Sequence, residues 1–399
     1  MSIADKLTLL INTKQDIKSA ISEKGVEVAG GMTTYADAIR GIETGGWGSP
    51  FYVPVGLKFA WVRYSVGHIY DVPIFTLPKI ILADGYKDGT YMFEGNESLT
   101  SINGIYSSNP SLVDCSYMFW HCKSLTSILH LDTPKVTNMH GMFEECQSLI
   151  SIPQMDTSKV TDMGHMFYNC RSLTTIPQMD TSNVTNMKNI FYYCESLTSI
   201  PQLDTSKVVD MSGMFWGCIS LTTIPKIYTT KVTNMSSMFY GCTSLTTVPQ
   251  MVPFEVTNTS NMFFGCTNLK TIQSIYTYYV TDMRGMFFNC PKLESLPMLN
   301  CAKATDVTNM FGTSDSHNTQ PYPNLTDLGG FEFLSVSLSG LDGMPNLTVQ
   351  SLMNVINNLY DFVGNGSTTT RTLTLGTTNL NKLTAEQKAI ATNKGWVLA

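Results

Sequence analysis

Nine phenylalanines stand at one fixed pitch along this chain: Phe119, Phe143, Phe167, Phe191, Phe215, Phe239, Phe263, Phe287 and Phe311 recur every 24 residues with no insertion between them. A period in the range of roughly 20 to 50 residues is the mark of a stacked array, because each unit can bury its apolar face only against its neighbours. The chain is therefore expected to form an elongated solenoid. Such folds present surfaces and bring little chemistry with them, so the repeat settles the architecture more firmly than the function.

Counted from each Phe, apolar residues fall at −4, −1, 0 and +3, as in Met163, Met166, Phe167 and Cys170. That spacing is the stripe of a short amphipathic helix. Asn138, Asp162, Asn186, Asp210, Asn234, Asn258, Asp282 and Asp306 stand just ahead of it, where a side-chain oxygen could accept from the first free amides as an N-cap. Beyond the helix, a segment such as Leu173-Thr-Thr-Ile-Pro177 is rich in β-branched residues and closed by a breaker, which predicts a short strand. A second extended piece is expected around Val160 and its equivalents Val136, Val184, Val208, Val232, Val256 and Val280. About ten such rungs, at a strand spacing of roughly 4.8 Å, would make a body on the order of 50 Å long.

These residues resemble a known family. Asp180-Thr-Ser-Asn-Val-Thr-Asn-Met187, Ile190-Phe-Tyr-Tyr-Cys194 and Ser196-Leu-Thr-Ser-Ile-Pro201 match, almost position for position, the repeat unit of BspA-like leucine-rich repeats. The likeness covers about residues 84–311. It implies an α/β fold: a right-handed leucine-rich-repeat solenoid with a parallel sheet, of a kind found in surface adhesins and virion proteins. The family carries no common catalytic residue.

Composition narrows the partners. The net charge is −6 and the basic residues are scattered, which argues against a nucleic-acid partner or an anionic membrane surface. No run is apolar for long enough to insert in a membrane. The start, Met1-Ser-Ile-Ala-Asp-Lys6, lacks the apolar core and small-residue cleavage site of a secretory signal. Of the 10 cysteines, Cys122, Cys146, Cys170, Cys194, Cys218, Cys242, Cys266 and Cys290 share one repeat position on the apolar stripe, and Cys115 takes a Met position on it. They read as small, buried, reduced core residues and not as disulfides or a metal site. Most of the 23 methionines occupy repeat positions in the same way, so no Met-rich groove is needed to explain them.

Four regions follow: a helical arm (1–45), a linker and entry cap (46–92), the repeat solenoid (93–311) and a C-terminal capping region (312–399). In the arm, Ile3, Leu7, Leu10, Ile17 and Ile21 follow a seam spacing of about 3.5 residues, so a docking or homo-oligomerising arm is expected. The alternative is a helical hairpin that folds back on the domain. The segments Ala4-Asp-Lys-Leu7, Thr13 to Ile21, Lys24 to Val28 and Tyr35 to Ile39 resemble the N-terminal part of tail and fibre proteins of tailed phages. That resemblance implies a virion protein, made in the host cytoplasm without a signal peptide, whose arm joins other virion subunits. In the C-terminal region, helices are expected over Leu347 to Phe362 and Thr384 to Ala391, with extended segments at Arg371 to Gly376 and Trp396 to Leu398.

No catalytic constellation emerges: there is no phosphate-binding glycine loop, nucleophile elbow or H-E-x-x-H. The six histidines do not repeat in register, so no metal is expected, and no cofactor. Asp156, Asp180 and Asp204 form a carboxylate column of the kind that serves glycoside hydrolysis, but their place before Thr-Ser makes turn formation the better account. Two features suggest contact. One is the aromatic column that follows each Phe: Trp120, Tyr168, Tyr192, Trp216, Tyr240, Phe264 and Phe288. The other is the replacement of Asp-Thr-Ser by Tyr228-Thr-Thr, Phe254-Glu and Tyr276-Thr-Tyr-Tyr279 in later rungs. Tyr276, Tyr278, Tyr279, Trp216 and Tyr240 are the candidate contact residues, for a host-surface glycan or protein. The chain is thus expected to be a tail fibre or baseplate component. The alternatives are a bacterial surface adhesin of the same repeat family and an architectural spacer or capsid decoration.

Overall fold

A computed structural model describes residues 51–53, 76–77, 80–82, 85, 87–107, 110–312 and 322–399. The expected helical arm, with Ile3, Leu7, Leu10, Ile17 and Ile21, lies outside them. The described chain is a solenoid of about 12 turns with parallel pairing and few helices. One column of parallel bridges ties it together, running Asp88, Asp114, Asn138, Asp162, Asn186, Asp210, Asn234, Asn258, Asp282, Asp306.

The helix expected at the apolar stripe does not form. A chain of tight turns takes its place, and its amides alternate in direction. Those of Met163, His165, Phe167 and Asn169 donate to the next rung, at Asn186 O, Lys188 O, Ile190 O and Tyr192 O (2.6–3.1 Å). Those of Met166, Tyr168 and Cys170 fold back onto Met163 O, His165 O and Phe167 O. The backbone has positive φ at His165 (57°) and Asn169 (58°), at Gly213 (60°) and Gly217 (71°), and at the equivalents in other rungs. A left-handed residue every fourth position is incompatible with an α-helix, and glycine or asparagine fills most of these positions because they tolerate it. Asp162 and its equivalents accept from the amide two residues on, as in Gly164 N to Asp162 Oδ1 (2.8 Å), so they start a turn and not a helix.

Core columns run through the stack. The Phe rings stack from Phe93 to Phe311 with centroids 5.0–5.8 Å apart, and Tyr322 closes the column edge-on against Phe311. Beside them, each thiol of the Cys column donates to the Phe carbonyl of the preceding rung, as in Cys194 Sγ to Phe167 O (3.1 Å). All ten cysteines are buried and free, as the sequence suggested. On the opposite wall, Thr157, Thr181 and Thr205 donate to carbonyls of the next rung, at Asp180, Asp204 and Tyr228 (2.8–2.9 Å). Apart from Thr229, the threonine hydroxyls of this column meet a partner one rung away, which satisfies them without water.

The strands are shorter than expected. Thr247–Val248, Thr271–Ile272, Ser295–Leu296 and Asp327–Leu328 form one parallel ribbon, and Thr76–Leu77, Ser101–Ile102 and Ser127–Ile128 another. Between residues 129 and 246 no strand forms at the equivalent position. Leu129 N–H donates to Ile102 O (3.0 Å) and Gly329 N–H to Leu296 O (2.9 Å), whereas Pro153, Pro177, Pro201 and Pro225 occupy that position with no N–H to give. Pro297 stands there too and Ser295–Leu296 still pairs, so proline removes one bond of the ladder without by itself abolishing it.

The C-terminal cap adds the helices. Val349–Asn357 is shorter than the expected Leu347 to Phe362. The Lys394 ammonium donates to Ile356 O and Asn357 O (3.3 and 2.7 Å), satisfying carbonyls that the helix end leaves open. Ala385–Asn393 begins with a capping box between Thr384 and Gln387. Arg371–Leu373 pairs in parallel with Trp396–Leu398, and the buried Trp396 indole donates to Tyr360 O (2.9 Å).

Candidate contact surface

Each rung has two edges, half a repeat apart: the turn at Asp-Thr-Ser and the turn chain that holds the aromatic residue after Phe. On the first edge, Asp156, Asp180 and Asp204 use their carboxylates locally. Asp156 Oδ1 accepts from Ser158 Oγ and N (2.7 and 3.0 Å); Asp180 and Asp204 accept from the amides of Ser182 and Ser206. These hydrogen bonds hold all three carboxyls below the usual range. A low carboxyl pKa is the wrong direction for a general acid. Gln154, Gln178 and Gln202 line up alongside, each donating Nε2 to the backbone carbonyl one rung on (2.7–2.8 Å). An open groove of about 530 Å³ spans three rungs here, from Gln178 and Asp180 through Asp204 to Tyr228.

From Tyr228 onward the same edge becomes aromatic. Tyr228, Phe254, Tyr276 and Tyr279 are 43%, 50%, 40% and 49% exposed. Phe254 meets Tyr276 edge-on at 5.6 Å, Tyr276 lies 6.3 Å from Tyr278, and Tyr278 meets Tyr279 edge-on at 4.8 Å. Lys226 Nζ sits 5.1 Å from the Tyr228 ring centre, within range of a cation–π contact. The backbone beneath keeps its pattern: Thr205 and Thr277 still donate to Tyr228 O and Asn300 O (both 2.9 Å). The pattern breaks at Thr229, whose buried hydroxyl has no partner, and in the next rung, Val252-Pro253-Phe254, where Pro253 takes the threonine position.

Trp216 and Tyr240 belong to the other edge. Rings stack there without interruption from Tyr168 through Tyr192, Trp216, Tyr240 and Phe264 to Phe288, with centroids 4.1–5.2 Å apart. All are half-buried by lateral packing. The five candidate residues thus fall into two sets on opposite edges, and among the described residues no ring contact joins them.

A third cluster escaped the sequence reading. Between Trp120 and Tyr168 the aromatic position holds Glu144, whose carboxyl burial pushes up to about 6. His165 Nδ1 lies 3.8 Å away, but burial and the neighbouring His140 push that imidazole down to about 4. At neutral pH the His is uncharged, so the pair is not a salt bridge despite its distance. His140 instead bonds Asp162 Oδ1 (3.2 Å), which raises its pKa. The histidines lie one register position apart, which hides their 5.3 Å ring contact from a search for repeats. Among the described residues no group of three or more His, Cys, Asp or Glu could hold a metal ion.

Comparison with known families matches the chain at residues 87–176, 174–269 and 222–324 to the family described as "Mycoplasma protein of unknown function, DUF285", so that the matches span more than half of it. The chain belongs to the DUF285 family. Among solved structures, this DUF285 protein is similar to a leucine-rich repeat protein from Bacteroides ovatus (16% identity, 83% of this chain and 94% of that one, TM-score 0.36). A leucine-rich repeat protein of T. pallidum matches at 19% identity over 55% of this chain and 83% of its own (TM-score 0.29). A leucine-rich cell surface protein from Faecalibacterium prausnitzii matches at 16% identity over 88% of both chains (TM-score 0.30). No curated protein matches the sequence.

Proposed function

We propose that this DUF285 protein is a non-catalytic attachment protein, in which the repeat solenoid is a rigid scaffold and the aromatic stretch of its turn edge makes the contact. The observation that carries this reading is the exposure of Tyr228, Phe254, Tyr276 and Tyr279 along one edge of the stack. Aromatic side chains supply much contact area at little entropic cost, and a patch of them on a soluble surface marks an interaction site. The finer proposal is a tail fibre or baseplate role on a virion, with the arm over residues 1–45 joining other subunits or further copies. It rests on the resemblance of residues 4–39 to the N-terminal part of phage tail proteins.

A second reading is a bacterial surface protein of the same repeat class; the family description, which names Mycoplasma, supports its bacterial source. Antibody labelling of phage particles and of cells, in a culture that produces this chain, separates the two. Contact itself is tested by retention of the purified full chain on a panel of bacterial envelopes. The expected result is retention of the native chain and release of the Tyr276→Ala/Tyr279→Ala variant. No retention of well-folded native chain on any envelope would overturn the reading.

A further inference from the structure

The groove on the turn edge has a lining that repeats. Gln178 and Asp180 of one rung are followed by Gln202 and Asp204 of the next, and Tyr228 takes the Asp position of the third. A ligand lying in it runs along the solenoid axis and meets the same Gln and Asp at two successive rungs, roughly 4.8 Å apart, and a ring at the third. The ligand that fits such a track has one unit per rung.

The chemistry of the set narrows the unit. The Nε2 groups of Gln178 and Gln202 are occupied by backbone carbonyls (2.7 and 2.8 Å), so their carboxamide oxygens are what remains to bond a ligand. Asp180 and Asp204 each use Oδ1 on their own turn, which leaves Oδ2. The track is therefore rich in acceptors and calls for a ligand rich in donors. Its charges are balanced: the Asp180 and Asp204 carboxylates both lie in the field of Lys207, whose ammonium bonds Asn183 Oδ1 (2.8 Å) on the neighbouring rung, and Lys226 stands beside the Tyr228 ring. Neither sign is left in excess to select a polycation or a polyanion. Hydroxyl groups satisfy the acceptors, and the exposed rings from Tyr228 onward suit the flat C–H faces of sugar rings, apolar on their faces and polar at their rim.

We propose that the turn edge is a binding track for a linear, neutral glycan of β-1,4-linked hexose or N-acetylhexosamine units, lying along the solenoid axis and ending on the Tyr228–Phe254–Tyr276 platform. The proposal rests on the contact surface argued above and names its ligand. A track of this kind binds by accumulation, each rung adding a weak contact, so affinity rises with the length of the oligosaccharide.

The test is calorimetric titration of the full chain with cellohexaose and chitohexaose and with the corresponding disaccharides. At least one hexasaccharide should bind about tenfold or more tightly than its disaccharide. Tyr228→Ala and Asp204→Asn should each weaken that binding about tenfold, while Trp216→Ala, on the opposite edge, leaves it unchanged. Asp204→Asn keeps the turn acceptor, so a loss there is not a loss of fold, and circular dichroism checks each variant. Absence of hexasaccharide binding overturns the glycan track, as does equal affinity for short and long oligomers or indifference to both edge variants. If envelopes nevertheless retain the native chain and release Tyr276→Ala/Tyr279→Ala, the contact surface stands and its partner is a protein. Binding of a hexasaccharide without envelope retention supports the track and removes the attachment role.

Discussion

The turn edge carries two surfaces in succession, Asp156, Asp180 and Asp204 along its first part and Tyr228, Phe254 and Tyr276 along its second. In the first half each surface side chain is occupied with its own turn, so the residues facing solvent also build the rung. In the second half the rings stand 40–50% exposed and take no part in their turns; Thr277 still reaches Asn300 O from beneath, while Thr229 has no partner and Pro253 has no hydroxyl to give. The surface side chains are thereby freed from building the rung, and the stacked Phe and Cys columns inside run on unbroken. A solenoid permits this because each interior column is satisfied by the rung on either side, whatever the edge displays.

If the interior columns alone hold the scaffold, interrupting one should damage both halves. Phe191→Ala removes a ring stacked on Phe167 and Phe215 (5.7 and 5.6 Å) and leaves a cavity, so a loss of about 3–5 kcal/mol is expected in urea unfolding. The thiol column should fail in alkali. Burial pushes Cys122 and Cys290 up to about 12, against about 8.5 for a free thiol. The folded chain thus holds protons that the unfolded chain releases, so this contribution is full below about pH 8.5 and falls as pH rises, by roughly 1.4 kcal/mol per thiol per pH unit until the folded values are reached. Unfolding midpoints between pH 7 and 11 should drop accordingly, and a flat profile would contradict the buried column.

The threonine column sharpens the comparison between halves. Thr181→Val breaks the bond to Asp204 O and leaves that carbonyl short of a donor, with an expected loss of about 1–2 kcal/mol. Thr229→Val removes a buried hydroxyl that has no partner, so it should be neutral or stabilising by up to about 1 kcal/mol. Thermal unfolding of the two variants side by side reads the difference, and equal losses would refute it. The smallest expected effect on stability is that of Tyr276→Ala/Tyr279→Ala, within about 0.5 kcal/mol per site, since these rings are largely solvated.

The period, the core positions and the reduced cysteines were legible because burial in a stack repeats whatever the local backbone does. The turn chain was not. Apolar residues at −4, −1, 0 and +3 fit a helix, and they also fit consecutive tight turns that present the same residues inward. What distinguishes the two is the composition four residues apart on the outside: His165 and Asn169, Gly213 and Gly217, Ser237 and Gly241, Asn261 and Gly265 all have positive φ. A recurring Gly or Asn at those two positions is the signal against a helix, and it was present in the sequence. The prolines at 153, 177, 201 and 225 likewise foretell the missing strand bonds once the donor they replace is identified. The split of the candidate contact residues between two edges follows from the 24-residue pitch, in which Trp216 and Tyr228 stand half a repeat apart. The Glu144 and His165 cluster was hidden because its members sit at different register positions.

If, as proposed, the aromatic edge serves contact and the interior serves the fold, the two are separable. The most direct test compares native chain and Tyr276→Ala/Tyr279→Ala in two readouts from one preparation: the urea midpoint and retention on bacterial envelopes. The account predicts an unchanged midpoint with retention lost. A lowered midpoint with retention intact would show that the rings belong to the scaffold, and would contradict it.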